Sequence, residues 1–143
     1  MIRKFKNCDI EQIIKIWLNG NIETHHFVAK QYWKAHAPMV RKQLLQAEVY
    51  VYETDGVIQG FVGMQENYIA GIFVKKQWRC MGIGKQLLNY IKQIYTILSL
   101  NVYQQNERAI KFYQQEGFSI ISEDVEENTG QVEYTMSWNS RKC

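Results

Sequence analysis

Proline occurs once in these 143 residues, at Pro38, and no Pro-, Gly- or Ser-rich tract, internal repeat or charge run divides the chain. No linker is therefore expected. A length near the commonest for one domain predicts a single domain over residues 1–143 with one sizeable core. Cysteine is sparse. Cys8, Cys80 and Cys143 are odd in number, far apart and without any C-x-x-C spacing. That pattern argues against a disulfide framework or a zinc site and predicts free thiols in a reducing compartment. No apolar run approaches the length of a membrane span, and the opening Met1-Ile2-Arg3-Lys4-Phe5-Lys6 lacks an apolar leader core. The expectation is a soluble, cytoplasmic protein that does not engage a membrane. Charge of one sign is also in short supply. The net charge is +3 and the basic residues are scattered, too weak a signal for nucleic acid but compatible with an anionic ligand.

What is present is an ordinary globular balance, 46% hydrophobic and 22% charged, with a high aromatic share of 13%. Tyrosine and tryptophan supply much of that share, which predicts an amphipathic cleft as well as a core.

Periodicity and turn residues give the element order. Met1 to Phe5 is a short strand. Asn7 or Asp9 caps a helix with Ile10, Ile13, Ile14, Trp17 and Leu18 on one face, ended by Gly20. A second helical region, about Lys30 to Gln46, is interrupted near Pro38. Strands follow at Glu48–Thr54, Val57–Gln65 and Tyr68–Val74, joined by the turns Asp55-Gly56 and Glu66-Asn67. A helix from Gly82 to Tyr95, a strand from Ile97 to Val102 and a helix from Asn106 to Glu116, stopped at Gly117, come next. Phe118–Glu126 and Glu133–Trp138 close the chain around Asn128-Thr129-Gly130. The order β-α-α-β-β-β-α-β-α-β-β contains a central antiparallel meander, which a doubly wound fold lacks. The predicted fold is mixed α/β, a mostly antiparallel twisted sheet of about seven strands with about four helices on its faces.

The most informative stretch is Ile69 to Tyr95. An apolar strand leads through Lys75-Lys76-Gln77-Trp78 into Arg79-Cys80-Met81-Gly82-Ile83-Gly84-Lys85, and a helix follows. Strand, glycine turn and helix start together aim free N–H groups and the positive end of a helix dipole at one spot, an anion site. A dinucleotide fingerprint needs a third glycine where Leu87 stands. A P-loop needs glycine at Arg79 and Ser or Thr at Gln86, the latter to hold Mg²⁺. Both nucleotide patterns fail at defined positions, and no metal is expected.

What remains, Arg79-x-x-Gly82-x-Gly84, resembles the acetyl-CoA pyrophosphate loop of the GNAT superfamily of N-acetyltransferases. The later segment Asn106-x-x-Ala109-x-x-Phe112-Tyr113-x-x-x-Gly117-Phe118 is similar to the one that follows the fifth strand in that family. The element order matches over nearly the whole chain. Gln31-Tyr32-Trp33, Ile72-Phe73-Val74, Val102-Tyr103-Gln104 and Met136-Ser137-Trp138 resemble stretches of its small, stand-alone bacterial protein acetyltransferases. The resemblance implies a GNAT-like domain that moves an acetyl group from acetyl-CoA to a primary amine by direct attack. The amine belongs to a protein lysine, a protein N-terminus or a small molecule. It implies a monomer or homodimer. The competing function is a non-catalytic acyl-CoA-binding sensor or regulatory module.

The resemblance also assigns positions. The loop Arg79, Cys80, Met81, Gly82, Ile83, Gly84 and Lys85 holds the pyrophosphate. Main-chain groups along Ile72, Phe73 and Val74 hold the pantetheine arm as an added strand, and Asn106 caps its helix and bonds the arm. Tyr113 is the general acid: a phenol of pKa about 10 stays protonated at neutral pH and can protonate a departing thiolate. His25, Phe27, Tyr32 and Tyr68 wall the acceptor pocket, with Trp33 beside them.

The base is where the pattern breaks. Freeing a lysine amine from its proton at pH 7 costs about 4–5 kcal/mol, against about 1 kcal/mol for an α-amine. Many relatives carry a glutamate five residues before the motif asparagine, and this chain has Asn101 there. Others carry one on the fourth strand, near Tyr68. Glu66, in the preceding turn, is the nearest carboxylate and the expected base through water. His25 is the alternative base or an acceptor contact, since a neutral imidazole can take a proton at pH 7.

Overall fold

The computed structural model describes residues 1–140. The expectation of a free thiol at Cys143 lies outside them. Cys8 and Cys80 are free and exposed. Seven strands form one sheet: β1 (Ile2–Lys4), β2 (Glu48–Thr54), β3 (Val57–Gln65), β4 (Tyr68–Val74), β5 (Ile97–Tyr103), β6 (Ser119–Val125) and β7 (Val132–Asn139). Four α-helices cover it: α1 (Ile10–Thr24), α2 (Lys30–Gln46), α3 (Ile83–Lys92) and α4 (Glu107–Gln115). The strand order is β1-β2-β3-β4-β5-β7-β6, antiparallel throughout except where β4 meets β5. The predicted mixed sheet and element order are therefore present.

Local chemistry explains most boundaries. Asp55 and Gly56 both take positive φ, 52° and 78°, the conformation of a two-residue hairpin turn that twists with its strands. Asn106 caps α4, its Oδ1 accepting from the Ala109 N–H at 3.3 Å. Two expectations fail for tertiary reasons. Gly20 does not end α1, which continues to Thr24. A Cβ at Gly20 would stand 3.2 Å from Phe73 Cδ1, so this glycine lets the helix lie against a ring on β4. Pro38 does not interrupt α2. Losing one helical hydrogen bond is offset by burial of Trp33 before it and Leu44 after it. Asp9 precedes α1 but its side chain makes no cap bond to that helix. Its carboxylate instead takes both Arg3 guanidinium nitrogens, at 2.8 and 3.0 Å, and the Lys6 N–H at 2.7 Å. These bonds to Arg3 hold its pKa below the usual carboxylate range.

Two cores sandwich the sheet. On one face α3 and α4 bury Leu87, Leu88, Ile91 and Tyr113 against Val62, Ile69, Leu98, Leu100 and Met136. On the other face α1 and α2 bury Ile10, Ile13, Ile16 and Leu44 against Val49, Val51, Ile58 and Phe61. The register of β3 with β4 slips at one point: Met64 faces Ile69 but Gly63 faces Gly71, so Ala70 is an extra residue on β4. The bulge lets Ile69 and, beyond it, Ile72 and Val74 meet the same core, while Phe73 turns to the α1 side and stacks on Phe61.

The pairing of β4 with β5 positions the site. It consists of Tyr68 with Ser99 and Ile69 with Leu100, and stops there. Beyond Ile69 the parallel strands part, opening a gap in the middle of the sheet. The Lys75 N–H bonds the Gln59 carbonyl on β3. By the alternation of an antiparallel ladder, the N–H and C=O groups of Ile72 and Val74 therefore point the other way, into that gap.

Candidate active site

The gap widens into a cleft of about 470 Å³. Its walls are Ile72 and Val74 of β4, the loop from Trp78 to Lys85, and Asn106, Arg108, Ala109, Phe112 and Tyr113 around the start of α4. Nearly all the predicted cofactor positions meet here. Two do not present side chains to it. Phe73 packs on the opposite face of the sheet, and Met81 is 63% exposed.

The loop is built as an anion cradle. Cys80 and Gly82 take φ of 65° and 82°. Left-handed Gly82 then leads into α3, whose first helical bond runs from the Gln86 N–H to the Gly82 carbonyl at 3.0 Å. The N–H groups of Ile83, Gly84 and Lys85 precede that bond and are the free donors of the helix start. A Cβ at Gly84 would lie 3.8 Å from Phe112 Cζ and 3.9 Å from Val74 Cγ2, both cleft-lining residues. Glycine there keeps the cradle empty of side chain. The residues present thus fit a pyrophosphate with an amide-rich arm laid along β4.

Arg79 lines the cleft, with part of its guanidinium engaged by the protein itself. Its Nε donates to the Val74 carbonyl at 3.0 Å, and its Nη2 lies 3.6 Å from Glu23. It braces the loop against β4 and α1. Arg108 also lines the cleft beside Arg79 and Lys85, its Nη2 3.3 Å from Cys80 Sγ in the loop. Sequence reasoning missed it: Arg108 is one of the unspecified positions between Asn106 and Ala109, and only the docking of α4 beside the loop brings it there.

His25 links two elements. Its Nδ1 is 2.9 Å from Asn21 Oδ1 and its Nε2 is 3.2 Å from Asn106 Nδ2. Asn21 spends its amide N–H on the Trp17 carbonyl, and Asn106 spends its oxygen on Ala109. The network therefore assigns the neutral imidazole with its proton on Nδ1. Burial, and secondarily the charge of His26, pull the His25 pKa down to about 4. With both ring nitrogens bonded, His25 ties the end of α1 to the cap of α4, and its lone pair is not turned to an acceptor.

Tyr113 is buried, 8% exposed, between the rings of Phe112 and Phe118. Burial, with a smaller effect of Tyr68, raises its phenol well above the usual value, so it holds its proton at neutral pH. Tyr68 lies beside it, its hydroxyl against the Asn101 main chain, and is likewise raised chiefly by burial. Asn101 itself accepts from Thr135 Oγ1 at 2.9 Å and takes a structural role.

Of the residues expected at an acceptor pocket, His25 and Phe27 pack together at 5.6 Å between rings. Tyr103 joins them, 5.1 Å from His25 and 5.5 Å from Phe27. The available signal for it was the two-residue period that puts Tyr103 on the face of Asn101. Tyr32 packs on Trp33 at 4.9 Å, and its phenol sits near Glu126, Asn128 and Glu133 of the β6–β7 hairpin. Glu66 is not brought to this place. It sits at φ 55° in the β3–β4 turn and lines a separate hollow with Gln43, Gln46 and Glu48. The tight hairpin that makes the turn carries its side chain to the far side.

Comparison with known proteins agrees with this geometry. The acetyltransferase (GNAT) domain signature matches residues 46–120. The chain is 36% identical over 140 residues to the peptidyl-lysine N-acetyltransferase YiaC of Escherichia coli (strain K12), covering 96% of each. It is 27% identical over 131 residues to the peptidyl-lysine N-acetyltransferase YjaB of the same organism, covering 90% of this chain and 88% of that one. In fold it matches apo YjaB from Escherichia coli with a TM-score of 0.85 at 23% identity, over 96% of each chain. It matches the PaiA N-acetyltransferase of Thermoplasma acidophilum, solved with coenzyme A, with a TM-score of 0.82 at 19% identity, over 97% of this chain and 98% of that one. A glycine cradle at a helix start, a parted pair of parallel strands and these relatives lead to one conclusion: the chain belongs to the GNAT family and is an acetyl-CoA-dependent N-acetyltransferase.

Proposed function

We propose that this enzyme acetylates lysine side chains of proteins, working in the cytoplasm. The 36% identity to a peptidyl-lysine N-acetyltransferase over nearly the whole chain is the observation that supports a lysine acceptor. The aromatic recess around Tyr32, Phe27 and Tyr103 suits it physically, since an aliphatic stem can lie along rings while its ammonium reaches the polar end.

In this account the N–H groups of Ile83, Gly84 and Lys85 bind the pyrophosphate of acetyl-CoA, and Arg108 adds a charge-assisted contact. The gap-facing groups of Ile72 and the Val74 N–H hold the pantetheine arm, the Val74 carbonyl being engaged by Arg79. The arm continues β4 sideways as a strand would, which places the thioester between Tyr68 and Tyr113. Attack by the free amine and collapse of the adduct leave CoA thiolate, which takes the Tyr113 proton. Burial raises the Tyr113 phenol, but the same dry cleft also raises the proton affinity of the thiolate, so the transfer does not become prohibitive. His25 positions Asn106 and α4 and stays uncharged. No step needs a metal, and a chelator should leave turnover unchanged.

The test is release of CoA thiol from acetyl-CoA with a panel of lysine peptides, N-terminal peptides with blocked lysines, and small amines. Preference for lysine peptides is expected. Turnover confined to small amines would move the acceptor away from protein. Arg108→Ala should weaken acetyl-CoA binding about tenfold, the loss of one charge-assisted bond of roughly 1.5 kcal/mol. Calorimetry showing an unchanged Kd would remove Arg108 from the phosphate site.

A further inference from the structure

We propose that Glu133 on β7 is the carboxylate that receives the acceptor ammonium and takes its proton. The proposal rests on the acetyltransferase function above and concerns the base that neither Asn101 nor Glu66 supplies. Strand register puts Glu133 directly opposite Tyr103 of β5, two positions along from the pair Asn101 and Thr135 and so on the same face. Side chains on β7 alternate. Met136 goes into the α3–α4 core with Tyr134 packed on its edge, so Glu133 and Thr135 face the other way, toward the end of α1 and the start of α2. The charge of Glu133 is felt by Tyr68 of β4, Tyr103 of β5 and Tyr32 of α2. Those rings belong to the recess where the acceptor is expected. The Tyr68 phenol feels the charge of Glu133 and in turn acts on Tyr113, so it is near enough to both for their charges to matter.

The neighbouring carboxylates have other work. Glu126 accepts from the Asn128 and Thr129 N–H groups at 2.9 and 3.2 Å and so holds the β6–β7 turn. Asp124, opposite Glu133 across β6–β7, is exposed on the edge strand. The charge of Glu126 also reaches Tyr32 and Tyr103, but of these carboxylates only half-buried Glu133 acts on Tyr68. Burial, then Glu126 and Asp124, raise its pKa above the usual carboxylate value, which moves it toward the task of a base at neutral pH. The charged and titratable groups facing it are Tyr68, Tyr103, Tyr32, Glu126 and Asp124, none of them cationic. An arriving ammonium is then the missing partner. As the acceptor fills the recess and displaces water, the carboxyl pKa rises and the ammonium pKa falls, so the two proton affinities converge. The ammonium gives one proton to Glu133, which passes it to solvent. The amine nitrogen bonds the thioester carbon, the C–S bond breaks, and the thiolate takes the Tyr113 proton. The second nitrogen proton returns to Tyr113, so one amide, one thiol and one proton result.

The experiment is the pH profile of kcat/KM from pH 6 to 9.5 with a lysine peptide, for wild type, Glu133→Gln, Glu133→Asp and Asp124→Asn. Glu133→Gln is expected to lose about 10²-fold at pH 7. The deficit should shrink toward pH 9.5 as free amine becomes available without a base, and acetyl-CoA affinity by calorimetry should stay unchanged. Glu133→Asp should recover part of the rate, and Asp124→Asn should stay within threefold of wild type. A Glu133→Gln enzyme within threefold of wild type at pH 7 overturns the assignment, as does a deficit equal at every pH. An Asp124→Asn loss matching that of Glu133→Gln would show a diffuse field effect and overturn it too. In each of those cases active wild type keeps the acetyltransferase function intact, whereas a wild type that acetylates no amine overturns both.

Discussion

Tyr113→Phe should lower kcat by about 10²–10⁴-fold while acetyl-CoA binds as before, because only the proton donor is lost. The substitution is nearly neutral for the fold. Tyr113 is packed by Phe112 and Phe118, and a phenylalanine ring fills the same volume between them. The remaining rate should rise for acyl donors whose leaving thiol has a lower pKa, since such a thiolate departs without help. The measurement is single-turnover acetylation with acetyl-CoA and with an activated thioester. A variant within threefold of wild type when chemistry is rate-limiting, or an equal loss for both donors, would remove Tyr113 from leaving-group protonation.

Gly84→Val should abolish measurable acetyl-CoA binding yet leave the empty protein at least as stable as wild type. Gly84 is the second residue of α3 and has ordinary helical backbone, unlike Gly82 at φ 82°. A side chain there brings no backbone strain, and in a helix valine is slightly preferred to glycine. Its Cβ meets only Phe112 and Val74 at 3.8 and 3.9 Å, ordinary contact distances. What the side chain does fill is the approach to the N–H groups of the helix start. Losing two charge-assisted bonds of roughly 1.5–3 kcal/mol each corresponds to about 10²–10⁴-fold in Kd. Calorimetry and a thermal melt on the same sample decide the matter. Binding retained within tenfold would move the pyrophosphate elsewhere. Gly82→Val is a poorer probe, because a β-branched residue at positive φ costs about 1–3 kcal/mol of stability by itself.

The elements legible in the sequence are those that local chemistry decides. Asp55-Gly56 makes its hairpin because both residues tolerate positive φ, and Asn106 starts α4 because its own side chain reaches the Ala109 N–H. The spacing of Leu87, Leu88 and Ile91 puts one face of α3 in the core whatever lies beneath it. The glycines of the cradle and the phenol of Tyr113 belong to the same class, each inside a short run whose conformation is set within a few residues. Gly20 and Pro38 mislead for the opposite reason. Each is a helix breaker in isolation, and each is overruled by tertiary packing: Phe73 of β4 against Gly20, and the burial of Trp33 and Leu44 of the same helix on either side of Pro38.

By itself, then, the sequence determined the element order and the glycine turn at the start of α3, and its resemblance to a family singled out Tyr113 as the expected acid. Only the tertiary structure decided how far β4 and β5 part, since two paired positions and no more follow from packing across the whole sheet. It also decided that Arg79 bonds the Val74 carbonyl and pairs with Glu23, that Arg108 comes to the loop, and that both nitrogens of His25 are used between Asn21 and Asn106. Glu133 shows the limit most clearly. Tyr68, Tyr103 and Tyr32, which feel its charge, come from three separate elements, and the register of β7 on β5 sets it opposite Tyr103. Strand register is a sum of many weak pairings, and a slip of one residue would send the same side chain to the opposite face.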